Sequence, residues 1–476
     1  MTDKQYDVII VGGGMGGLNL GALLSHAGKK VLILERGGEE NLGGRAASGK
    51  IGNAVVDNGI KGLILCGSQD EVYERIGKDM PENVCEWTNH GELYMNGSWR
   101  KLSDMIGDSF EEFMLVYKKA AMEMTYEEIE KLNDISIEKY VQDRTDDQNI
   151  IDFFRYLGWL FGGTLTAATD YSAGSLFYSV RKQIDTLGHM PGGSYWVKGG
   201  SGAIAPGLLE AIEETGGEIR TGASVARVVI EDGVATGVEV EVGKPVVPTE
   251  FLNVEFIAAP VVVSAVAIWD IFNIISEDDL APWYAQRLEF LHRRTLNLAT
   301  ITYALDKEEL WDHTGQRWVQ EGPITKKPWM VSSLDYSEEE GQYEVSFWIQ
   351  LGWWEKPNLF DMKKASHKAA LRKLLNDWEE EIKILFPGVV ENALWRMQSF
   401  GPATIMETPG NVGNNLLDVE VEGVEGLYMI GERTKEAKVM GVYGAAQTAL
   451  ATFEKIMYKY PNRKSTGDQE SEREAG

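Results

Sequence analysis

Asp7-Val8-Ile9-Ile10-Val11-Gly12-Gly13-Gly14-Met15-Gly16-Gly17 is the stretch that decides the fold of this 476-residue chain. Val8 to Val11 is an unbroken apolar run of the kind found in strands covered on both faces, and the glycines that follow break it sharply. Leu20, Leu23, Leu24 and Ala27 then recur at helical spacing, Gly28 reads as the helix stop, and Val31-Leu32-Ile33-Leu34 reads as a second strand. Gly12, Gly14 and Gly17 therefore form GxGxxG between a strand and a helix. The first glycine permits the tight turn, the second lets a pyrophosphate approach the backbone, and the third lets helix pack on strand, with the helix N-terminus facing the phosphates. Glu35 stands at the end of the second strand, 18 residues past Gly17, where a carboxylate can accept from a ribose hydroxyl. The pattern predicts a dinucleotide-binding unit and leaves NAD and FAD both open.

Outward from this unit, composition bounds the rest. At about 150 residues per domain the length suggests two to three domains. With 43% hydrophobic and 25% charged residues the chain is an ordinary globular protein, and global disorder is excluded. The 46 basic residues stand against 73 acidic ones, a net charge of −27 that repels phosphate backbones and anionic headgroups. Nucleic acid is therefore not expected as a partner. Cys66 and Cys85 are too few for a disulfide framework or a four-thiolate metal site, which suits a reducing compartment. Residues 1–7 lack the basic patch and long apolar stretch of a secretory signal, so a cytoplasmic location is expected. Phe256 to Ile275 could pass for a membrane span, but Pro260, Ser264, Asp270 and Asn273 interrupt it. It reads as a buried strand plus a helix, and no transmembrane segment is expected.

From about Glu71 to Thr186 long charged and aromatic segments, such as Glu111 to Tyr117, predict an inserted and mostly helical region. Strand signals return at Glu218–Thr221, Ser224–Ile230 and Ala235–Val240, with Glu231-Asp232-Gly233 as a hairpin turn. A second excursion, about Ser276 to Met397, holds strand-like Leu298–Tyr303 and Val345–Ile349 and a charged helix from Met362 to Ile384. The reading is two interleaved domains: residues 1–70, 190–275 and 398–460 in the first, 71–189 and 276–397 in the second. Residues 461–476 have almost no apolar residues and read as a disordered tail.

Gly200 to Ala205 makes a second GxGxxA, but Arg220-Thr221-Gly222 stand where an acid should follow, and no second nucleotide site is expected. Fourteen tryptophans, with Trp348, Trp353 and Trp354 close together and Tyr195-Trp196 elsewhere, suit core packing or an aromatic wall around an apolar substrate. The six histidines show no HExxH spacing and no metal is expected; no Gly-x-Ser-x-Gly suggests a serine nucleophile.

Gly43-Gly44-Arg45 and Gly426-Leu427-Tyr428-Met429-Ile430-Gly431-Glu432, taken with Gly12 to Gly17, resemble the FAD site of the phytoene desaturase and monoamine oxidase superfamily. The resemblance runs in order through Val225, Val261-Val262-Val263-Ser264-Ala265, Gly431-Glu432 and Gly441-Val442-Tyr443-Gly444-Ala445. It implies an α/β fold of two domains, a Rossmann-type FAD-binding domain interleaved with an α+β substrate domain. It also implies that Gly12, Gly14, Met15, Gly16, Gly17, Glu35, Arg36, Gly44, Arg45, Val225, Gly431, Glu432 and Val442 hold FAD. Arg45 would contact the pyrophosphate, Glu432 would sit by the ribityl and phosphate region, and Val225 would lie in the adenine-contacting segment. Superfamily members that tether flavin through cysteine do so from the C-terminal part of the chain, where neither Cys66 nor Cys85 lies, so the FAD is expected to be non-covalent.

Members of the amine oxidase branch carry a lysine on a substrate-domain strand near the flavin, and the matching Leu296 to Asp306 has none before Lys307. Gly441-Val442-Tyr443-Gly444 resembles the Gly-Ile-Pro-Gly of carotenoid desaturases, with Tyr443 in place of proline. The resemblance thus implies an FAD-dependent desaturase or dehydrogenase acting on a CH–CH bond of an apolar or cyclic, carbonyl-containing small molecule. Tyr443 is the candidate catalytic residue, its phenol donating to a substrate carbonyl. A flavin amine oxidase, a saturase or double-bond isomerase, and an FAD-stabilised binding protein stay open as alternatives. So do the electron acceptor, whether oxygen, quinone or another, and a homodimer.

Overall fold

The computed structural model of the chain describes residues 6–51, 54–60, 62–86, 91–162, 170–190, 195–243, 251–306, 315–334, 343–351, 362–431 and 434–462. β1 (Val8–Val11), α1 (Met15–His26) and β2 (Val31–Leu34) form where the sequence places them. Every residue of both strands is buried, which is why no polar alternation marks them. β3 (Ser48–Ile51) and β4 (Ala54–Asp57) pair as an antiparallel ribbon. α2 (Ser68–Arg75) then lies against α1. The buried amides of Asn19 and Gln69 exchange hydrogen bonds of 3.0 and 2.7 Å, and Val72 and Tyr73 enter the same core as Leu18 and Leu23.

After α2 come the short strands β5 (Val84–Glu86), β6 (Glu92–Met95) and β7 (Ser98–Lys101), ahead of the helices expected there. The helices are α3 (Leu102–Ile106), α4 (Phe110–Lys118), α5 (Tyr126–Glu130), α6 (Ile137–Gln142), α7 (Gln148–Gly162) and α8 (Ala173–Leu187). They close on an aromatic core of Phe113, Tyr117, Phe154 and Phe177. Thr125 starts α5 with a capping box to Glu128, and Ser172 caps α8.

β8 (Tyr195–Val197) pairs with β5, α9 (Ala205–Glu214) follows, and β9 (Glu218–Arg220) joins β2 in parallel. β10 (Val225–Glu231) and β11 (Val234–Val242) form the expected hairpin, with Asp232 and Gly233 at φ of 50° and 79°. Both central residues in the left-handed region are what a two-residue turn between twisted strands requires. β12 (Asn253–Ala258) and β13 (Val261–Ser264) follow. The apolar stretch from Phe256 is thus the end of one strand, a second strand, and a 3₁₀ turn at Ile268–Asn273, and not one strand plus a helix. Pro260, which offers no N–H to a ladder, separates the strands.

The second excursion supplies α10 (Pro282–Arg293), β14 (Thr295–Leu305), β15 (Gly315–Val319), β16 (Trp329–Leu334), β17 (Tyr343–Leu351), α11 (Ala365–Leu385) and β18 (Trp395–Ile405). β19 (Leu427–Met429) and α12 (Gly441–Lys459) end the described chain. Among the described residues, β19-β13-β1-β2-β9 make a parallel sheet, and β18-β14-β17-β16-β15-β6-β7 make the sheet of the substrate half. α11 covers one face of the latter with Leu371, Leu375, Trp378 and Ile382 on Ile301, Tyr303, Val345 and Phe347. Two expected domain boundaries need correction. That at 70/71 cuts α2, whose apolar residues bury against α1, and that at 397/398 cuts β18, which pairs along its length with β14. No helix among the described residues is long and apolar enough to cross a membrane, and 463–476, the expected tail, lies outside them.

Tyr73 donates its hydroxyl to the Ile204 carbonyl, joining α2 to the start of α9. Burial pushes its phenol from the ordinary 10 up to about 12. Tyr178 is pushed to about 12 as well, by burial first and then by the Glu130 charge. A raised folded-state value means stability is fully present below the unfolded value and lost as pH climbs through the folded one. The urea midpoint is therefore expected to hold up to pH 10 and to fall between pH 10 and 12 as phenolate absorbance rises. Full phenol ionisation near pH 10 with the fold intact would contradict the buried placement.

Candidate functional site

The carboxyl ends of β1, β2, β13 and β19 open onto one cavity of about 680 Å³. This is the edge at which parallel sheets hold ligands. Gly12 turns the chain at φ +112°, a conformation that L side chains rarely adopt, with its N–H on the Leu34 carbonyl at 2.8 Å. A Cβ on Gly17 would stand 2.1 Å from the Gly12 carbonyl oxygen, so only glycine lets α1 pack this close to the turn. A Cβ on Gly14 would meet nothing within 4 Å, because Gly14 faces the cavity. α1 starts there with no side-chain cap and no acid in its first turn, leaving its positive end to the cavity.

α12 brings a second N-terminus to the same space. It starts after Met440 with no side-chain cap and no first-turn acid, and Gly441, Val442 and Ala445 line the cavity. Gly431 lines it too, its N–H held by Thr448 Oγ1 at 3.1 Å. A Cβ on Gly431 or Gly441 would again meet nothing within 4 Å. Two dipole ends and three open glycines in one cavity fit a dinucleotide laid from the first turn to α12. Gly14→Ala is accordingly expected to leave the cofactor-free protein as stable as the parent while weakening the dinucleotide about tenfold, ~1.4 kcal/mol. Thermal unfolding and fluorescence titration of the stripped protein read the two effects separately; a fall in stability with affinity unchanged would contradict this placement.

Glu35 braces the loop. Its Oε2 accepts from the Gly13 N–H and its Oε1 from the Gly37 N–H, each at 2.8 Å, and the carboxylate lines the cavity. Arg36 Nη2 stands 3.2 Å from Asp270 Oδ2, and its side chain is 74% exposed. Such an exposed pair contributes at most about 1 kcal/mol, so exchanging Asp270 for an anionic ligand costs little. The Arg45 guanidinium lies 5.4 Å from the Trp269 ring centroid and donates to the Ala403 carbonyl of β18, bringing the substrate half to the cavity. Trp269 and Asp270, from the 3₁₀ turn after β13, were not read as site residues in the sequence: the apolar run hides Trp269, and Asp270 stood out only as a polar break in it.

Of the expected cofactor residues, Gly12, Gly14, Met15, Gly16, Glu35, Arg36, Gly44, Arg45, Val225, Gly431 and Val442 line this one cavity. Gly17 packs behind it, and Glu432 lies outside the described residues. Tyr443 is not among the residues brought to it. Its ring is 1% exposed in the core shared by α1, α2 and α12, because it leaves α12 on a different side from Val442 and Ala445. Burial, then the Asp70 and Cys66 charges, push its phenol far above the ordinary range, and its carbonyl accepts from Ser68 Oγ at 2.7 Å.

The second glycine motif packs against protein side chains. Ser201 binds Asp57 Oδ1 through N–H and Oγ at 2.9 and 3.0 Å, and a Cβ on Gly200 would stand 2.4 Å from Ser48 Oγ. Cys66 and Cys85 are free thiols and do not line the cavity. Among the described residues no group of three His, Cys, Asp or Glu is placed to hold a metal. β14 carries no lysine; Lys307, Trp353 and Trp354 lie outside the described residues.

The family described as flavin containing amine oxidoreductase matches residues 15–456. The chain is similar to a 4,4'-diapophytoene desaturase of Methylomonas sp, 26% identical over 267 residues covering 50% of this chain and 51% of the relative. It is similar also to the all-trans-retinol 13,14-reductase of Danio rerio, 23% identical over 355 residues, 64% of this chain and 55% of that one. The chain thus spans about half the length of the curated relatives it matches. Among solved structures, an oxidoreductase from Methanosarcina mazei shares the fold with a TM-score of 0.67 at 18% identity, covering 94% of this chain and 99% of that one. With the glycine turn, the braced glutamate and the two helix ends in one cavity, the match over 15–456 means that the chain belongs to the flavin-containing amine oxidoreductase family.

Proposed function

We propose that the chain binds FAD non-covalently in this cavity and acts as an oxidoreductase on a CH–CH bond of a cyclic or otherwise apolar small molecule bearing a carbonyl. Family membership implies a flavin, and two uncapped helix N-termini opening onto one cavity support a dinucleotide. Bound there, the flavin supplies the hydride acceptor or donor. The chain's own part is to seat and orient it: Glu35 on the ribose side, Arg36 and Arg45 at the phosphates, and the α12 N-terminus as a second positive end in the same space. The observation that carries a carbon–carbon reaction over amine oxidation is β14, which has no lysine from Thr295 to Leu305. The likeness to a desaturase and to a reductase supports the same bond type in either direction.

Anaerobic titration against alkenes, cyclic ketones and amines tests the reading. Cyclic ketones are expected to bleach the oxidised flavin, or enones to reoxidise the reduced one, with amines inert. Bleaching by amines with peroxide release in air would replace it by amine oxidation, the second reading, which the family description favours. Tyr443→Phe is expected to retain flavin and to change the reduction rate by no more than about threefold, because its phenol is spent in the core. Loss of a true oxyanion donor slows turnover roughly 100- to 1000-fold, and a drop of that size would return Tyr443 to the chemistry.

A further inference from the structure

Among the described residues, Arg36 and Arg45 are the side-chain cations that line the cofactor cavity, against the carboxylates of Glu35, Glu241 and Asp270. A bound dinucleotide adds the negative charge of its pyrophosphate to this lining. Whatever holds the two guanidiniums therefore bears on how tightly the cofactor sits. One segment of six residues holds both, the 3₁₀ turn Ile268–Asn273. Asp270 takes Arg36 at 3.2 Å, and the ring of Trp269 takes Arg45 at 5.4 Å from its centroid. Arg36 follows β2, and Arg45 follows Gly43, whose N–H donates to the Gly13 carbonyl at 2.8 Å. β2 and β13 flank β1, so the turn after β13 is tied to segments on the other side of the first glycine turn.

The turn itself is fixed from behind. Ile271, Ile274 and Ile275 are buried in one core with Leu32 and Val262, and the Ile274 carbonyl accepts from the Val228 N–H at 2.7 Å. Asn273 Nδ2 donates to Asp270 Oδ1 at 3.2 Å, which leaves Oδ2 for Arg36. The two contacts act on their arginines in opposite senses. A carboxylate cancels the charge of its guanidinium toward a third group, so Asp270 takes Arg36 from an anion in the cavity. A phosphate can displace this screened pair, but the carboxylate then stays on its anchored turn and repels the phosphate. A ring attracts a cation within about 6 Å without neutralising it, so Trp269 keeps Arg45 in place with its charge unspent.

We propose that the Ile268–Asn273 turn sets the affinity for the cofactor through two residues: Asp270 competes with the cofactor's phosphate for Arg36, and Trp269 positions Arg45 for it. This rests on the FAD placement above. Equilibrium dialysis of the holoenzyme at low and high salt measures the dissociation constant of FAD, without turnover. Asp270→Asn keeps an acceptor for Asn273 and removes the charge. It is expected to hold FAD about three- to fivefold more tightly than the parent, the span that an exposed pair is worth. The gain is expected to shrink at high salt, where exposed charges are screened, and to vanish in an Arg36→Gln background. Trp269→Leu is expected to weaken FAD at least about threefold, with Trp269→Phe restoring most of the loss and with no further loss once Arg45→Met is present. An Asp270→Asn protein that holds FAD no more tightly than the parent overturns the proposal. So does a gain that survives the loss of Arg36, or a Trp269→Leu loss that is the same with and without Arg45. A parent that carries a nicotinamide dinucleotide in place of FAD would instead overturn the cofactor reading.

Discussion

Gly17→Ala is expected to yield protein with less than about one-tenth of the parent's flavin and a markedly lower unfolding midpoint. The new methyl would sit 2.1 Å from the Gly12 carbonyl oxygen and 3.3 Å from Ile10 Cγ2. Neither neighbour can yield easily, because Gly12 is tied to Leu34 and β1 is paired on both edges by β2 and β13. The first turn of α1 must lift off the strand, at roughly 3 kcal/mol, the upper end for overpacking. That movement also takes the helix N-terminus away from the cavity proposed to hold the phosphates. Gly21→Ala is the internal comparison. There the Cβ would meet the tip of Ile33, at 2.5 Å from Cδ1, and a flexible side chain can turn aside. Gly21→Ala is therefore expected to be the milder change, and a Gly17→Ala protein with full flavin and parental midpoint would refute the packing argument.

Glu35→Ala is expected to raise the dissociation constant of FAD about 100-fold or more. The carboxylate holds the Gly13 and Gly37 N–H groups and lines the cavity where the ribose is proposed to lie. A hydrogen bond to a charged acceptor contributes about 1.5–3 kcal/mol, so losing two leaves the loop unbraced by roughly 3–6 kcal/mol, part of it recovered by water. Glu35→Gln keeps one acceptor oxygen and is expected to fall between parent and alanine. Titration of stripped protein with FAD measures all three. Unchanged affinity in the alanine variant would remove Glu35 from the site.

Much of the cofactor half was legible because its signals are local. A strand covered on both faces reads as an apolar run, and the turn after it needs glycines for reasons of contact distance at Gly17 and of φ at Gly12. The hairpin at Asp232-Gly233 was legible for the same reason. What escaped depends on distant partners. α2 looks like the first helix of the insertion until Gln69 finds Asn19, and β6 is a strand because β15, more than 200 residues away, lies parallel to it. Tyr443 was read from its place between glycines, but which side of α12 it leaves is set by the α1 and α2 core, which no local motif encodes. That Thr302, Ser332 and Ser346 share one sheet face emerged only from register, since they lie on three strands and each alone is an ordinary hydroxyl in a sheet.

Acid precipitation of the purified protein followed by mass analysis of the supernatant identifies the cofactor outright. FAD is expected in the supernatant, equimolar with the chain, over a colourless pellet. Flavin retained on the precipitated protein would contradict non-covalent binding, and a nicotinamide dinucleotide in place of FAD would contradict the cofactor assignment itself.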